Sequence, residues 1–422
     1  MTAETASTHP DVVIVGAGLI GMSSALKLQQ EGLRVLVMDR DEPGKGASFG
    51  NAGYLATELV DPMSTPQTLR KAPELLLDPH GPLTLPPRYL PTLLPWLMRF
   101  TLAARKSSVN QSRQALAALN AQALAAWQRC LGGIGAQNEL IASGYLMVWE
   151  NRRALDQARR HQAQLQASGI QAELLDTEGV QRRDPGLSSS IQHALLFPNA
   201  HQVSDPYRVV QRLVEAFKSA GGEITCESVE QLSALDNGVE IRSNQRRIEA
   251  DRVVVATGAW SARLAEQLGL KIPLEAETGH HLTLTDRIDA LRQPIGSAER
   301  NIVMTPMQCG LRVVGFSELG GLALKPNPKR SRTLKHHAAH LLRDAQGIEQ
   351  ARDWMGRRPT LPDSLPVIGQ HPNHPQVQFA FGHQHLGLTQ AAITAELVAD
   401  QLMARPLAID LTPFSPQRFN HT

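Results

Sequence analysis

The chain has 422 residues, 42% of them hydrophobic and 19% charged, a globular composition that excludes a disordered chain, a collagen and a disulfide mini-scaffold. At about 100–200 residues per domain, it holds two or three domains. Lys and Arg number 42 against 40 Asp and Glu, and aromatics are only 4%, so neither a basic nucleic-acid face nor a stacking platform for single strands is expected.

In chain order, residues 1–10 are polar and lack the basic start and apolar core of a secretory signal. Residues 11–15 read as a short buried strand. Gly16-Ala17-Gly18-Leu19-Ile20-Gly21 follows at once, then a helical stretch stopped by Gly32. Residues 34–39 are a second strand. Residues 40–60 form a Gly/Ser/Asn loop, and residues 61–96 carry nine prolines and cannot be one helix. Residues 90–102 are apolar around Pro91, Pro95 and Arg99. Of an interfacial segment and a buried helix of the second domain, the buried helix is the reading taken. Helical spacing recurs over 111–131 and 154–167. Asp205-Pro206 opens a helix with the stripe Val209, Val210, Leu213, Val214 and Phe217. Residues 224–256 and 281–316 alternate like strands, and a last helix covers 388–403. No uncharged apolar run is long enough to span a membrane. Cys130, Cys226 and Cys309 are far apart and odd in number, which argues against a disulfide framework or zinc site and fits a reducing compartment.

The pattern Gly16-x-Gly18-x-x-Gly21 follows a strand, opens a helix and precedes an acidic strand end at Asp39. Gly16 makes the tight turn, Gly18 admits a pyrophosphate and Gly21 lets helix pack on sheet. The helix start offers free N–H groups to phosphate. Asp39 accepts from a ribose diol and repels a 2′-phosphate, so the cofactor is FAD or NAD rather than NADP. A second dinucleotide motif is missing, and the loop after Asp39 replaces a further βαβ unit; both favour FAD. Gly46-Ala47-Ser48-Phe49-Gly50 matches a hydrolase nucleophile elbow in letters only, because Pro43 and Gly44 separate it from the strand. His336, His337 and His340 lack the metalloprotease pattern and lie beside the basic run 325–335, so a solvated helix face is expected and no metal. His383 and His385, in a glycine turn before the last helix, read as an active-site wall.

These residues resemble the FAD-dependent amino-acid oxidoreductases related to glycine oxidase and bacterial D-amino-acid dehydrogenase. The resemblance rests on residues 11–40, on the loop 46–53, on 250–261 (ADRVVVATGAWS), on 356–369 (GRRPTLPDSLPVIG) and on 382–389 (GHQHLGLT). It implies an α/β fold: a Rossmann-type FAD-binding domain with a parallel central sheet (1–60, 196–272 and 355–422), plus a mixed antiparallel-sheet substrate domain (61–195 and 273–354). By resemblance, FAD contacts fall on Gly16, Ala17, Gly18, Leu19, Ile20, Gly21, Asp39, Arg40, Ala47, Ser48, Asn51, Ala52, Gly53 and Val229, on Ala256, Thr257, Gly258 and Trp260, and on Gly382, Leu386, Gly387, Leu388 and Thr389. Arg358 of Gly-x-Arg-Pro would bind the substrate carboxylate, with Arg357 pointing to solvent or a structural partner. His280, His383 and His385 are candidates for amine contact. The chain departs from the family at Thr278 and His280, where Arg and Tyr are expected. No cysteine lies beyond 309, so FAD is expected to be non-covalent.

The activity implied is oxidative deamination, most of all of D-amino acids: hydride passes from Cα to flavin N5, and the imine hydrolyses to a 2-oxo acid and ammonia. Electrons would pass to a quinone or the respiratory chain. The rivals are a secondary-amine dehydrogenase or oxidase of D-proline, D-hydroxyproline or sarcosine type, and a flavin-bearing subunit of a heteromeric dehydrogenase. The expected location is cytoplasmic, with peripheral contact at the inner face of the inner membrane as the alternative.

Overall fold

A computed structural model describes residues 9–167 and 169–419. The polar start at residues 1–8 therefore lies outside the described residues.

The N-terminal unit forms as its residues dictate. β1 (Val12–Val15) is wholly buried, as an apolar run covered on both sheet faces must be: helices lie over one face, and a small antiparallel sheet with a short helix lies over the other. A turn through Gly16 leads into α1 (Leu19–Gln30), and β2 (Val35–Asp39) returns parallel to β1. The six-stranded sheet runs in the order Glu223–Cys226, β2, β1, Arg252–Val255, Val377–Phe381, Val367–Gln370. Its strands are parallel except for the Val367–Gln370 edge, which pairs antiparallel. Strand order reverses beside β1, so a crevice opens at the carboxyl ends of β1 and its neighbours. Over one face, α1 packs against Gly387–Leu402 and Pro206–Ser219. Asp205 caps the latter helix by accepting from the Tyr207 and Arg208 N–H groups.

A second, nine-stranded sheet is mixed and mostly antiparallel. Its edge that faces the crevice is built from Arg352–Thr360, Glu275–Leu284 and Gly310–Leu319, antiparallel to one another in that order. The fold is thus the expected pairing of a Rossmann-type parallel sheet with a mixed second sheet. The chain recrosses to the first sheet after Thr360, not at 355, because Arg352–Thr360 pairs along its whole length with Glu275–Leu284.

Two expectations are corrected. Residues 90–102 are helical (Leu90–Ala103), but only Leu93 and Trp96 are buried. Leu90, Leu94, Met98 and Leu102 are 38%, 56%, 59% and 48% exposed, one helical stripe facing outward. The basic run 325–335 is not simply a solvated face either. Arg330 is buried, donating to Glu318 Oε2 at 3.2 Å and to the Gly81 carbonyl at 2.9 Å.

Candidate active site

The crevice at the switch in strand order is a cavity of about 500 Å3, within the range of small-molecule sites. Its first wall is the glycine turn. Gly16 has φ +109°, and a Cβ there would stand 2.5 Å from the Ala256 carbonyl oxygen. Gly18 opens α1 without a side-chain cap, and no acidic residue occupies the first turn. The partial positive charge of the helix start is therefore left for an anion. Gly21 lies directly over the Gly16 carbonyl, where no side chain fits. Asp39, at the end of β2, accepts from the Ala17 N–H at 2.6 Å and the Asp41 N–H at 3.0 Å. Burial pushes its carboxyl up despite these donors. A glycine cradle, an uncapped helix start and a strand-end carboxylate are the donor set a pyrophosphate and ribose require, so the residues fit FAD.

The remaining walls come from distant segments. Arg40 lies over the Trp260 ring, 3.9 Å from its centroid. Val229, Ala256, Thr257 and Gly258 stand beside them, and Gly382, Gly387 and Leu388 close the far end. Leu19, Ile20, Ala47 and Ser48 complete the near wall, and Ser48 Oγ accepts from the Leu19 N–H at 2.9 Å. The loop 46–53 is held from behind. Arg312, 2% exposed, donates to the Phe49 and Asn51 carbonyls at 2.9 and 3.1 Å, and Asn51 Oδ1 accepts from the Gly53 N–H. His281 stacks on Trp354, and the Trp354 ring occupies the space beside Gly50, so a Cβ on Gly50 would collide with it.

Several expected contacts lie behind the wall rather than on it. Ala17 and Gly21 shape the turn. Asn51, Ala52, Gly53 and Leu386 are not on the cavity surface, and Thr389 Oγ1 accepts from the Ala56 N–H. Conversely, the wall includes Glu227, Arg263, Gln267, Arg357 and Gln384, which the sequence did not single out for cofactor contact. Glu227 follows directly on the strand Glu223–Cys226, at the carboxyl end where such crevices open; that position was the available signal.

The paired arginines are placed otherwise than expected. Arg357 does not turn away: it lines the cavity, with Nη2 donating to the Leu324 carbonyl at 2.7 Å and a buried Nε that has no partner. Burial, then the nearby Arg40, lowers its pKa. Arg358 points to the opposite face of the strand, as the period of two requires. There its Nη1 donates to Glu277 Oε1 and to the Phe316 carbonyl, both at 2.9 Å.

The histidines separate into different roles. His280 is drawn into the second sheet, with Nε2 2.6 Å from Glu318 Oε1, and is not on the cavity wall. His383 reaches the wall, but its Nε2 is 3.0 Å from Thr394 Oγ1 and burial pulls its pKa down to about 3, so it is neutral. His385 stands between the wall residues Gln384 and Gly387, its Nε2 3.0 Å from Glu277 Oε1. Arg358, His385 and Glu277 therefore form one group, and Glu277 was not foreseen as its centre. Burial pushes the Glu277 carboxyl up, but His385 and Arg358 more than offset this and hold it well below the usual range. Among the described residues, no cluster of His, Cys, Asp or Glu is arranged to hold a metal ion.

Comparisons with known proteins show the family. The profile of the DAO family, described as FAD dependent oxidoreductase, matches residues 11–401. A D-amino-acid oxidase of Bradyrhizobium diazoefficiens is 31% identical over 416 residues, covering 97% of this chain and 98% of that protein. A D-amino acid dehydrogenase of Rhizorhabdus wittichii is 29% identical over 420 residues, covering 97% and 100%. Among solved structures, glycine oxidase from Geobacillus kaustophilus superposes with a TM-score of 0.74 at 25% identity, covering 97% of this chain and 99% of that one. L-proline dehydrogenase from P. horikoshii gives 0.74 at 18% identity, covering 98% of each chain, a likeness of fold alone.

Proposed function

The chain belongs to the DAO family of FAD dependent oxidoreductases and is a flavoenzyme with FAD as its cofactor, and from that premise we propose that it oxidises the Cα–N bond of amino acids, D-enantiomers first. FAD, when bound, supplies the two-electron acceptor: the substrate loses a hydride from Cα and a proton from nitrogen, and the imine hydrolyses to a 2-oxo acid and ammonia. The chain's own part is to hold and orient. Gly16, Gly18, the start of α1 and Asp39 would hold the dinucleotide non-covalently, with Arg40 and Trp260 beside it. Arg358, outside the dinucleotide cavity wall and on the face of its strand opposite Arg357, would anchor the substrate carboxylate, and His385, beside it on Glu277, would stand at the amine.

The observation that carries this reading is the state of Arg358. Both of its hydrogen bonds leave from Nη1, so the Nε–Nη2 edge has no partner among the described residues. That edge is the bidentate fork a carboxylate takes. The test is anaerobic bleaching of the flavin by a panel of D- and L-amino acids, with D-proline, cis-4-hydroxy-D-proline and sarcosine. Bleaching by D-alanine but not L-alanine supports the reading. Bleaching by the secondary amines alone assigns the protein to secondary-amine oxidation. No bleaching by any of them refutes it.

The acceptor we propose is a membrane quinone. Its support is the outward stripe Leu90, Leu94, Met98 and Leu102, rimmed by the exposed Arg88, Arg105 and Lys106, a face suited to an anionic bilayer surface. Among the described residues, no helix is long and apolar enough to cross a membrane. Oxygen uptake should be slow beside dye reduction, and comparable rates would make the enzyme an oxidase.

A further inference from the structure

This inference rests on the amino-acid reading above and deepens it. Glu277 lies within the strand Glu275–Leu284, directly across from Arg358 in Arg352–Thr360. It is 0% exposed. A buried carboxylate is tolerated only when paired and hydrogen-bonded, and here every requirement is met from several directions. Ser317 Oγ donates to Oε1 at 2.6 Å and Thr360 Oγ1 to Oε2 at 2.9 Å. Arg358 Nη1 and His385 Nε2 both reach Oε1, at 2.9 and 3.0 Å. Ser317 and Thr360 donate to both carboxylate oxygens and stop the group from rotating, so its partners Arg358 and His385 are held at fixed angles.

The consequences for the partners are specific. Glu277 takes Arg358 by Nη1 only, which leaves the Nε–Nη2 edge uncommitted. Gly279 makes room for this, since a Cβ there would overlap the Arg358 guanidinium. The contact also turns the Nε2 side of the His385 ring toward Glu277, so that Nδ1 lies on the far side of the ring. We infer that Glu277 is a positioning residue: it holds Arg358 and His385 as one constellation that receives the carboxylate and amine of the substrate. It touches neither group of the substrate itself.

The test uses the FAD-loaded enzyme titrated with acetate, a carboxylate without an amine, read as a change in flavin absorbance. Glu277→Gln keeps the volume and removes the charge. It should bind acetate at least about tenfold more weakly and raise the amino-acid KM by a similar factor, because a charge-assisted fork is misaimed. FAD content should match wild type, kcat should change less than about threefold, and Glu277→Asp should recover part of the loss. In an Arg358→Ala background, Glu277→Gln should make no further difference to acetate affinity. A purely structural Glu277 would instead lower Tm while leaving acetate affinity unchanged. That result, a wild-type enzyme with no acetate response, or an equal loss in both backgrounds overturns the inference. If Glu277→Gln fails to retain FAD, Ser317→Ala and Thr360→Val each remove one donor and should weaken acetate about two- to fivefold; no change in either overturns it too. Because the titration needs no turnover, a flavin that no amino acid reduces refutes the functional reading while the acetate response still decides this one.

Discussion

Replacing Gly21 by Ala tests the cofactor site at its tightest point. The added Cβ would stand 1.8 Å from the Gly16 carbonyl oxygen, 2.9 Å from its carbon and 3.4 Å from Ile14 Cγ2. Ordinary contact begins near 3.5 Å, so the start of α1 must move off β1 by roughly 1.5 Å. Neither neighbour can yield. Gly16 is itself wedged against the Ala256 carbonyl, and α1 is packed between Gly387–Leu402 and Pro206–Ser219. Overpacking of this kind costs about 1–3 kcal/mol of stability. Shifting the helix start would also lengthen the hydrogen bonds it is proposed to give the pyrophosphate, each worth about 1.5–3 kcal/mol when the acceptor is charged. Loss of one such bond weakens FAD by about tenfold to a hundredfold. FAD affinity by fluorescence quenching, with thermal melting of the apoprotein and holoenzyme, reads both effects. Gly132→Ala is the control, at a helix end with nothing within 4 Å of the new Cβ. A Gly21→Ala protein with wild-type FAD affinity and Tm would refute the placement of the dinucleotide on this turn.

Arg358→Ala should lower kcat/KM by on the order of a hundredfold or more while keeping FAD, with Arg358→Lys recovering only part because it lacks the fork. Arg357→Ala should instead weaken FAD retention, since Arg357 lines the cavity; flavin-to-protein absorbance ratios and steady-state kinetics separate the two. Burial pushes the Glu58 carboxyl up to about 7 from 4.5. Below about pH 4.5 both folded and unfolded forms are protonated and no cost arises. Between about 4.5 and 7 the unfolded chain loses its proton first, so stability falls as pH rises; above that the full cost, up to about 3 kcal/mol, is constant. Glu58→Gln should therefore raise Tm at pH 8 and not at pH 4, and an equal shift at both would disprove the burial argument. Acid precipitation should leave the flavin in the supernatant, and a yellow pellet would show covalent attachment.

The glycine turn and strand-end acid proposed to hold the dinucleotide were legible in the chain because they are consecutive. Turn, helix start and strand-end acid follow one another within residues 16–39, and each is set by local backbone needs: a positive φ at Gly16, a missing Cβ at Gly21 and an uncapped Gly18. The substrate side was legible only in part. Strand periodicity required Arg357 and Arg358 to face opposite ways, but which faced the cavity was decided by sheet register, through a Glu277 partner 81 residues away. The same holds for His280, claimed by Glu318, which also takes Arg330, rather than by the cavity. It holds too for the helix Leu90–Ala103, whose apolar pattern fitted burial until the second sheet covered only one side of it. Hydrophobic pattern and glycine spacing report what a segment needs from its own backbone. Ion pairs and exposed faces depend on which distant strand or helix arrives beside it, and that is settled only when the sheets pair and pack.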